Sequence, residues 1–142
     1  MSARTLLLDN SAWVRLAALA AERANEIADL IVAGRIATCL PFLLEAGYSA
    51  RNLADREQLR AQLDALPRFP IDADVERRAE DAQRQLTAIG HHRLPPVDLL
   101  VAAVADRHGL DVLHYDSDYD LIAERTDLTF GSVWLAPRGS LS

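Results

Sequence analysis

Short apolar runs alternate with helical segments along this chain, and that alternation limits the possible folds more than any other feature. Leu6-Leu7-Leu8, Ile36-Ala37-Thr38-Cys39-Leu40, Asp111-Val112-Leu113-His114-Tyr115 and Ser132-Val133-Trp134-Leu135 read as strands, and Phe69-Pro70-Ile71 as a brief extended piece. Between them, apolar residues recur helically through Trp13, Leu16, Ala17, Leu19 and Ala20. A second helix from Glu22 to Val32 keeps Ile27, Leu30 and Ile31 on one face and is ended by Gly34. Pro41 suits the start of a helix to about Ala50, and Leu53, Leu59, Leu63 and Leu66 mark an amphipathic helix from Asn52 to Leu66. Asp72 or Asp74 can cap a long charged helix ending near Gly90. Pro96 opens a mostly apolar helix that stops at Gly109, and Ser117 to Glu124 reads as a short helix. Strands alternating with helices predict an α/β fold with a mainly parallel central sheet flanked by helices. Half of the 142 residues are hydrophobic, enough for one compact domain over residues 1–142.

Acidic residues sit at the ends of these apolar runs. Asp9 closes the first, Asp98 opens Leu99-Leu100-Val101-Ala102-Ala103-Val104, and Asp116, with Asp118 close behind, follows the Val112–Tyr115 run. Glu45 interrupts Pro41-Phe42-Leu43-Leu44 before Ala46. An isolated buried carboxylate costs several kcal/mol unless a partner or metal offsets it. In an open parallel sheet, ligand sites form beyond the carboxyl ends of the strands, where Asp9 and Asp116 fall. Asp98 in a first helical turn and Glu45 on the helix after the second strand can reach the same edge. All of these acids but one also have a local explanation: Asp98 suits a helix dipole, and Asp9, Asp116 or Asp118 can act as N-caps. Glu45 has none.

Oxygen ligands without a cysteine cluster or a histidine pair point to magnesium or manganese rather than zinc. Such a site suits phosphodiester hydrolysis, with Ser11 orienting a carboxylate. Arg93, just ahead of the Asp98 helix, is a candidate for contacting substrate phosphates, or a solvated loop arginine. His91, His92, His108 and His114 lack zinc-pair spacing and read as loop or surface residues, Trp13 and Trp134 as core, and lone Cys39 as a buried inert thiol.

Composition removes other chemistries. All 15 basic residues are arginine, so neither a Gly-Lys-Ser/Thr phosphate loop nor a lysine Schiff base can be built. A strand-end aspartate phosphotransferase needs a second Asp two residues after Asp9, where Ser11 stands. The net charge of −6 argues against bulk electrostatic binding of nucleic acid. The five candidate acids account for nearly all of that excess, however, and divalent cations would neutralise them. No apolar run is long enough to span a bilayer and no secretory pattern opens the chain, so a cytoplasmic protein is expected.

Taken in order, the motifs resemble those of the PIN-domain family, and within it the VapC-type toxins of bacterial toxin–antitoxin pairs. Leu8-Asp9-Asn10-Ser11 is similar to the family's Asp-x-Ser/Thr motif and Glu45 to its second acidic position. Pro96-Val97-Asp98-Leu99 is similar to the third motif, and Asp116-Ser117-Asp118-Tyr119 to a fourth that usually reads Asp-x-Asp-Phe. The resemblance implies a PIN-domain-like α/β/α sandwich and a magnesium- or manganese-dependent endoribonuclease. Asp9, Glu45, Asp98 and Asp116 would hold the metal and carry catalysis, supported by Ser11 and Asp118. It also implies cleavage of tRNA or ribosomal RNA to block translation, a homodimer, and inhibition by a cognate VapB-type antitoxin. Trp13, Leu16, Leu43 and Leu44 are the expected antitoxin contacts. The competing expectation is a catalytically silent PIN-like module that binds RNA or protein.

Overall fold

Leu6–Leu8 (β1) forms the centre of a five-stranded, all-parallel sheet in a computed structural model that describes residues 4–91 and 93–141. Its neighbours are Ile36–Cys39 (β2) and Asp111–His114 (β4), with Arg68–Phe69 (β3) outside β2 and Ser132–Trp134 (β5) outside β4. Both β1 and β2 are almost wholly apolar because parallel strands are covered on both faces; all four residues of β2 are buried. The order β3-β2-β1-β4-β5 means the chain winds outward from β1, then returns to build the other half beside it. The reversal falls between β1 and β4, where Leu8 pairs with Leu113 and the Asp9 N–H still reaches the Leu113 carbonyl at 3.0 Å. A crevice at such a reversal is where ligands bind in open α/β sheets.

Seven α-helices flank the sheet among the described residues: Asn10–Trp13 (α1), Ala21–Val32 (α2), Leu40–Tyr48 (α3), Leu53–Leu63 (α4), Ala73–Ala88 (α5), Pro96–His108 (α6) and Asp118–Arg125 (α7). Local chemistry sets the boundaries. Asn52 caps α4 through the Asp55 N–H, and Asp72, not Asp74, caps α5 by accepting from the Val75 N–H at 2.9 Å. Asp74 instead pairs with Arg77 and Arg78. Pro96 starts α6, and Gly109, in the left-handed region at φ 69°, ends it. Leu99, Val101, Ala102, Ala103, Val104 and Ala105 of α6 are all buried, as its nearly unbroken apolar sequence requires.

The first helix departs from expectation. α1 stops at Trp13, a 3-10 turn covers Leu16–Ala18, and Leu19 is extended before α2 begins. Apolar periodicity ran through this break because alanine and leucine fit a helix or a tight turn equally well. The Arg15 guanidinium occupies the gap, donating to the Ser11 carbonyl at 2.8 Å and lying 4.8 Å over the Tyr115 ring. No described helix is long and apolar enough to cross a membrane.

Candidate metal centre

Four elements deliver the acids to the carboxyl edge of the sheet. Asp9 follows β1 and caps α1: its Oδ2 accepts from the Ser11 N–H at 2.9 Å and the Ser11 hydroxyl at 2.6 Å. The Ser11 Oγ in turn accepts from the Tyr115 N–H at 2.8 Å, so one side chain ties the end of β1 to the end of β4. The other oxygen, Asp9 Oδ1, accepts from the Tyr119 hydroxyl at 2.6 Å. The expected cap and the expected orienting serine are therefore the same hydrogen bonds, and capping leaves the carboxylate at the crevice.

Asp98, in the first turn of α6, has an Oδ1 that lies 3.4 Å from the Tyr119 hydroxyl. Its Oδ2 is buried without a hydrogen-bond partner among the described residues. Asp98, Asp116 and Asp118 each offer an oxygen within 4.8 Å of the others. At an effective dielectric near 20, two like charges about 5 Å apart repel by about 3 kcal/mol. Three such charges stay together only with protons or a cation among them. Burial, and then the charges of Asp9, Asp116, Asp118 and Glu45, push the Asp98 carboxyl up to about 8. Glu45, half-buried on α3, is raised by burial and by the charges of Asp9 and Asp116. Asp118 is raised by burial and by Asp116. The five acids thus form one electrostatic unit, in which Asp118 joins Asp98 and Asp116 as a group close enough to share one ion.

A buried carboxyl with one orphaned oxygen, in a group with two more carboxylates, fits a hard divalent cation, and the donors are all oxygen. Sulfur takes no part: Cys39 is buried, and its thiol is pushed up to about 12, chiefly by desolvation.

Beneath the acids lies a polar layer that the sequence did not announce. His114 is fully buried rather than a surface residue, because β4 is covered on both faces. Its Nδ1 accepts the Asp116 N–H at 3.1 Å, so the ring proton lies on Nε2, 2.7 Å from Ser132 Oγ. Ser132 donates to Asp120 Oδ1 at 2.6 Å, and Asp120 Oδ2 accepts from Trp134 Nε1 at 3.0 Å. Burial pushes the His114 imidazole down, keeping it neutral and able to accept. Its place inside a strand was the available signal, since a histidine there needs partners.

Other expectations divide. Arg93 is exposed and shares a hollow of about 370 Å³ with His91 and Asp118. His91 is exposed, His92 lies outside the described residues, and His108 is half-buried, stacked on Phe69 with centroids 5.2 Å apart. Trp13 and Trp134 are half-buried, Trp13 packing edge-on against Phe42. Among the expected antitoxin contacts, Leu43 fills the core, Trp13 and Leu16 pack partly against it, and Leu44 remains 61% exposed. Helix α3 turns Leu43 inward and Leu44 outward, so adjacent leucines cannot share one face.

The family model described as PIN domain matches residues 6–125. The chain belongs to the PIN-domain family. Among curated relatives, Ribonuclease VapC51 of Mycobacterium tuberculosis is 41% identical over 135 residues, 95% of this chain and 96% of the relative. Ribonuclease VapC18 of the same organism is 36% identical over 94% of this chain and 97% of its own length. Among solved structures, the DNA-bound VapBC from Salmonella typhimurium matches 94% of this chain and 99% of that chain with a TM-score of 0.73 at 17% identity. VapBC-5 from Mycobacterium tuberculosis covers 90% and 98% with a TM-score of 0.61 at 25% identity. The parallel sheet flanked by helices is thus the α/β/α sandwich of a PIN domain, and all five candidate acids lie inside the matched span.

Proposed function

We propose that this PIN domain is the toxin of a VapBC-type pair, a magnesium- or manganese-dependent endoribonuclease that arrests translation by cutting tRNA or ribosomal RNA. The observation that carries this reading is the buried, unpartnered Asp98 Oδ2 beside Asp116 and Asp118. The ribonuclease names of the relatives support it. A bound divalent ion would supply a more acidic water for attack on phosphorus and neutralise charge on the leaving oxygen. Asp98, Asp116 and Asp118 hold it, and Asp9 and Glu45 complete the acidic rim. Ser11 keeps Asp9 in one orientation, while His114 keeps the backbone of Asp116 in place. Arg93, across its hollow from Asp118, contacts phosphates of the RNA.

The test is cleavage of RNA by the purified chain. Activity is expected to vanish in excess EDTA and return with Mn2+ or Mg2+; cleavage that survives chelation sinks the metal reading. A silent binding module would instead arrest growth on expression even as Asp9→Ala.

The partners follow from the surfaces. A cognate VapB-type antitoxin is the proposed inhibitor, as the VapBC complexes among the solved structures suggest. A homodimer is supported by a mostly apolar hollow of about 440 Å³ whose lining includes Leu40, Leu44, Tyr48, Val97 and Leu100 with Glu45 among them, Leu44 being 61% and Tyr48 91% exposed. Burying two such side chains contributes about 4 kcal/mol, roughly a thousandfold in a dissociation constant. Light scattering is expected to give the mass of a dimer for the parent and of a monomer for the Leu44→Glu, Tyr48→Glu double variant. A monomeric parent at micromolar concentration overturns this assignment.

A further inference from the structure

The phenol oxygen of Tyr119 has no purpose if the ring serves only to fill the core. Tyr119 is fully buried, and its ring lies against His114 with centroids 4.9 Å apart. Phenylalanine, the usual residue of the family motif, would fill that space without a hydroxyl to satisfy. A buried phenol needs a hydrogen-bond partner, and here the partners are the first and third acids of the site. The hydroxyl lies 2.6 Å from Asp9 Oδ1 and 3.4 Å from Asp98 Oδ1. No other side chain among the described residues touches both by hydrogen bonds. Asp9 comes from the end of β1 and Asp98 from α6, so this one oxygen spans two separately folded elements.

We propose that Tyr119 is a positioning residue of the cation site, its hydroxyl fixing Asp9 and Asp98 relative to each other. The inference rests on the reading of the acids as that site. Hydrogen bonds to ionised groups are short and strong, and the contact with Asp9 has that length. With Ser11 on Oδ2 and Tyr119 on Oδ1, the Asp9 carboxylate is held at both oxygens and cannot rotate. Asp98, held more loosely at Oδ1, keeps Oδ2 uncommitted. The replacement of phenylalanine by tyrosine, which reads as conservative in the sequence, therefore adds a group to the site.

The test is Tyr119→Phe, which removes one oxygen and leaves the ring. Calorimetric titration with Mn2+ alone is carried out in the cold, where circular dichroism shows the chain folded, so that a loss of stability leaves the binding constant untouched. Losing one hydrogen bond to a charged group is expected to weaken Mn2+ binding about tenfold. The Mn2+ concentration that half-activates RNA cleavage should rise by the same factor, with the rate at saturating Mn2+ recovering. Affinity equal to the parent's overturns the proposal, and so does a Tyr119→Phe chain that fails to fold, which would assign the hydroxyl to the fold. Asp98→Asn reports separately on the underlying reading: if it binds Mn2+ like the parent, the acids are not the site.

Discussion

Asp98→Asn is expected to abolish RNA cleavage while leaving the circular dichroism spectrum of the parent unchanged. The substitution keeps the volume of a residue only 5% exposed and removes the ionisable carboxyl at the centre of the cluster. Even outer partners of a metal site are worth ten- to a hundredfold, so loss of a ligand should cost at least about a hundredfold. Rate assays on matched amounts of folded protein decide the matter. An Asp98→Asn chain that cleaves within a factor of a few of the parent would remove Asp98 from the chemistry, and with it the observation on which the functional reading stands.

The same carboxyl predicts how the metal-free protein responds to pH. Asp98 holds its proton to about pH 8 in the folded chain, against an ordinary value of 3.8. Between those limits the folded state binds the extra proton, so stability falls as pH rises through that window and is lowest above about 8. Glu45 and Asp118, also raised, act in the same direction. Every tenfold gain in proton affinity on folding corresponds to about 1.4 kcal/mol. For a buried, coupled group, a total of a few kcal/mol, or about ten degrees in Tm, is a fair expectation. In EDTA, the Tm of the parent should therefore drop relative to that of Asp98→Asn between pH 5 and pH 8.5. Mn2+ should restore it at the alkaline end, because a ligand that binds only the folded state adds stability. Parallel melting curves for the two chains across that range would count against a strained acid cluster.

Much of this architecture was legible because strand ends and acids coincide. Leu8 followed by Asp9, and Tyr115 followed by Asp116, placed two carboxylates at one sheet edge from the strand pattern alone. The parallel order β3-β2-β1-β4-β5 then set β1 beside β4. Glu45 was legible for the opposite reason: a carboxyl inside Pro41–Ala46 had no local role. What the sequence concealed were properties that depend on neighbours distant in the chain. His114 needs Ser132 and Asp120 to be tolerated in the core, and nothing near it in sequence reveals them. Tyr119 reads as an aromatic filler until its hydroxyl is found between Asp9 and Asp98. The end of α1 at Trp13 was invisible because alanine-rich periodicity does not distinguish a helix from a tight turn. Leu43 and Leu44 looked interchangeable, yet only a helix of known rotation tells which one faces water.

The pairing of β1 with β4, Leu6 opposite Asp111, has a consequence during synthesis. On the ribosome, Asp9 emerges about a hundred residues ahead of the strand that completes its crevice. A nascent chain that stops short of β4 therefore has Asp9 and its capping serine but lacks the facing carboxylates of Asp116 and Asp118. Convergence of the acids must wait until that strand has been made and has paired with the first.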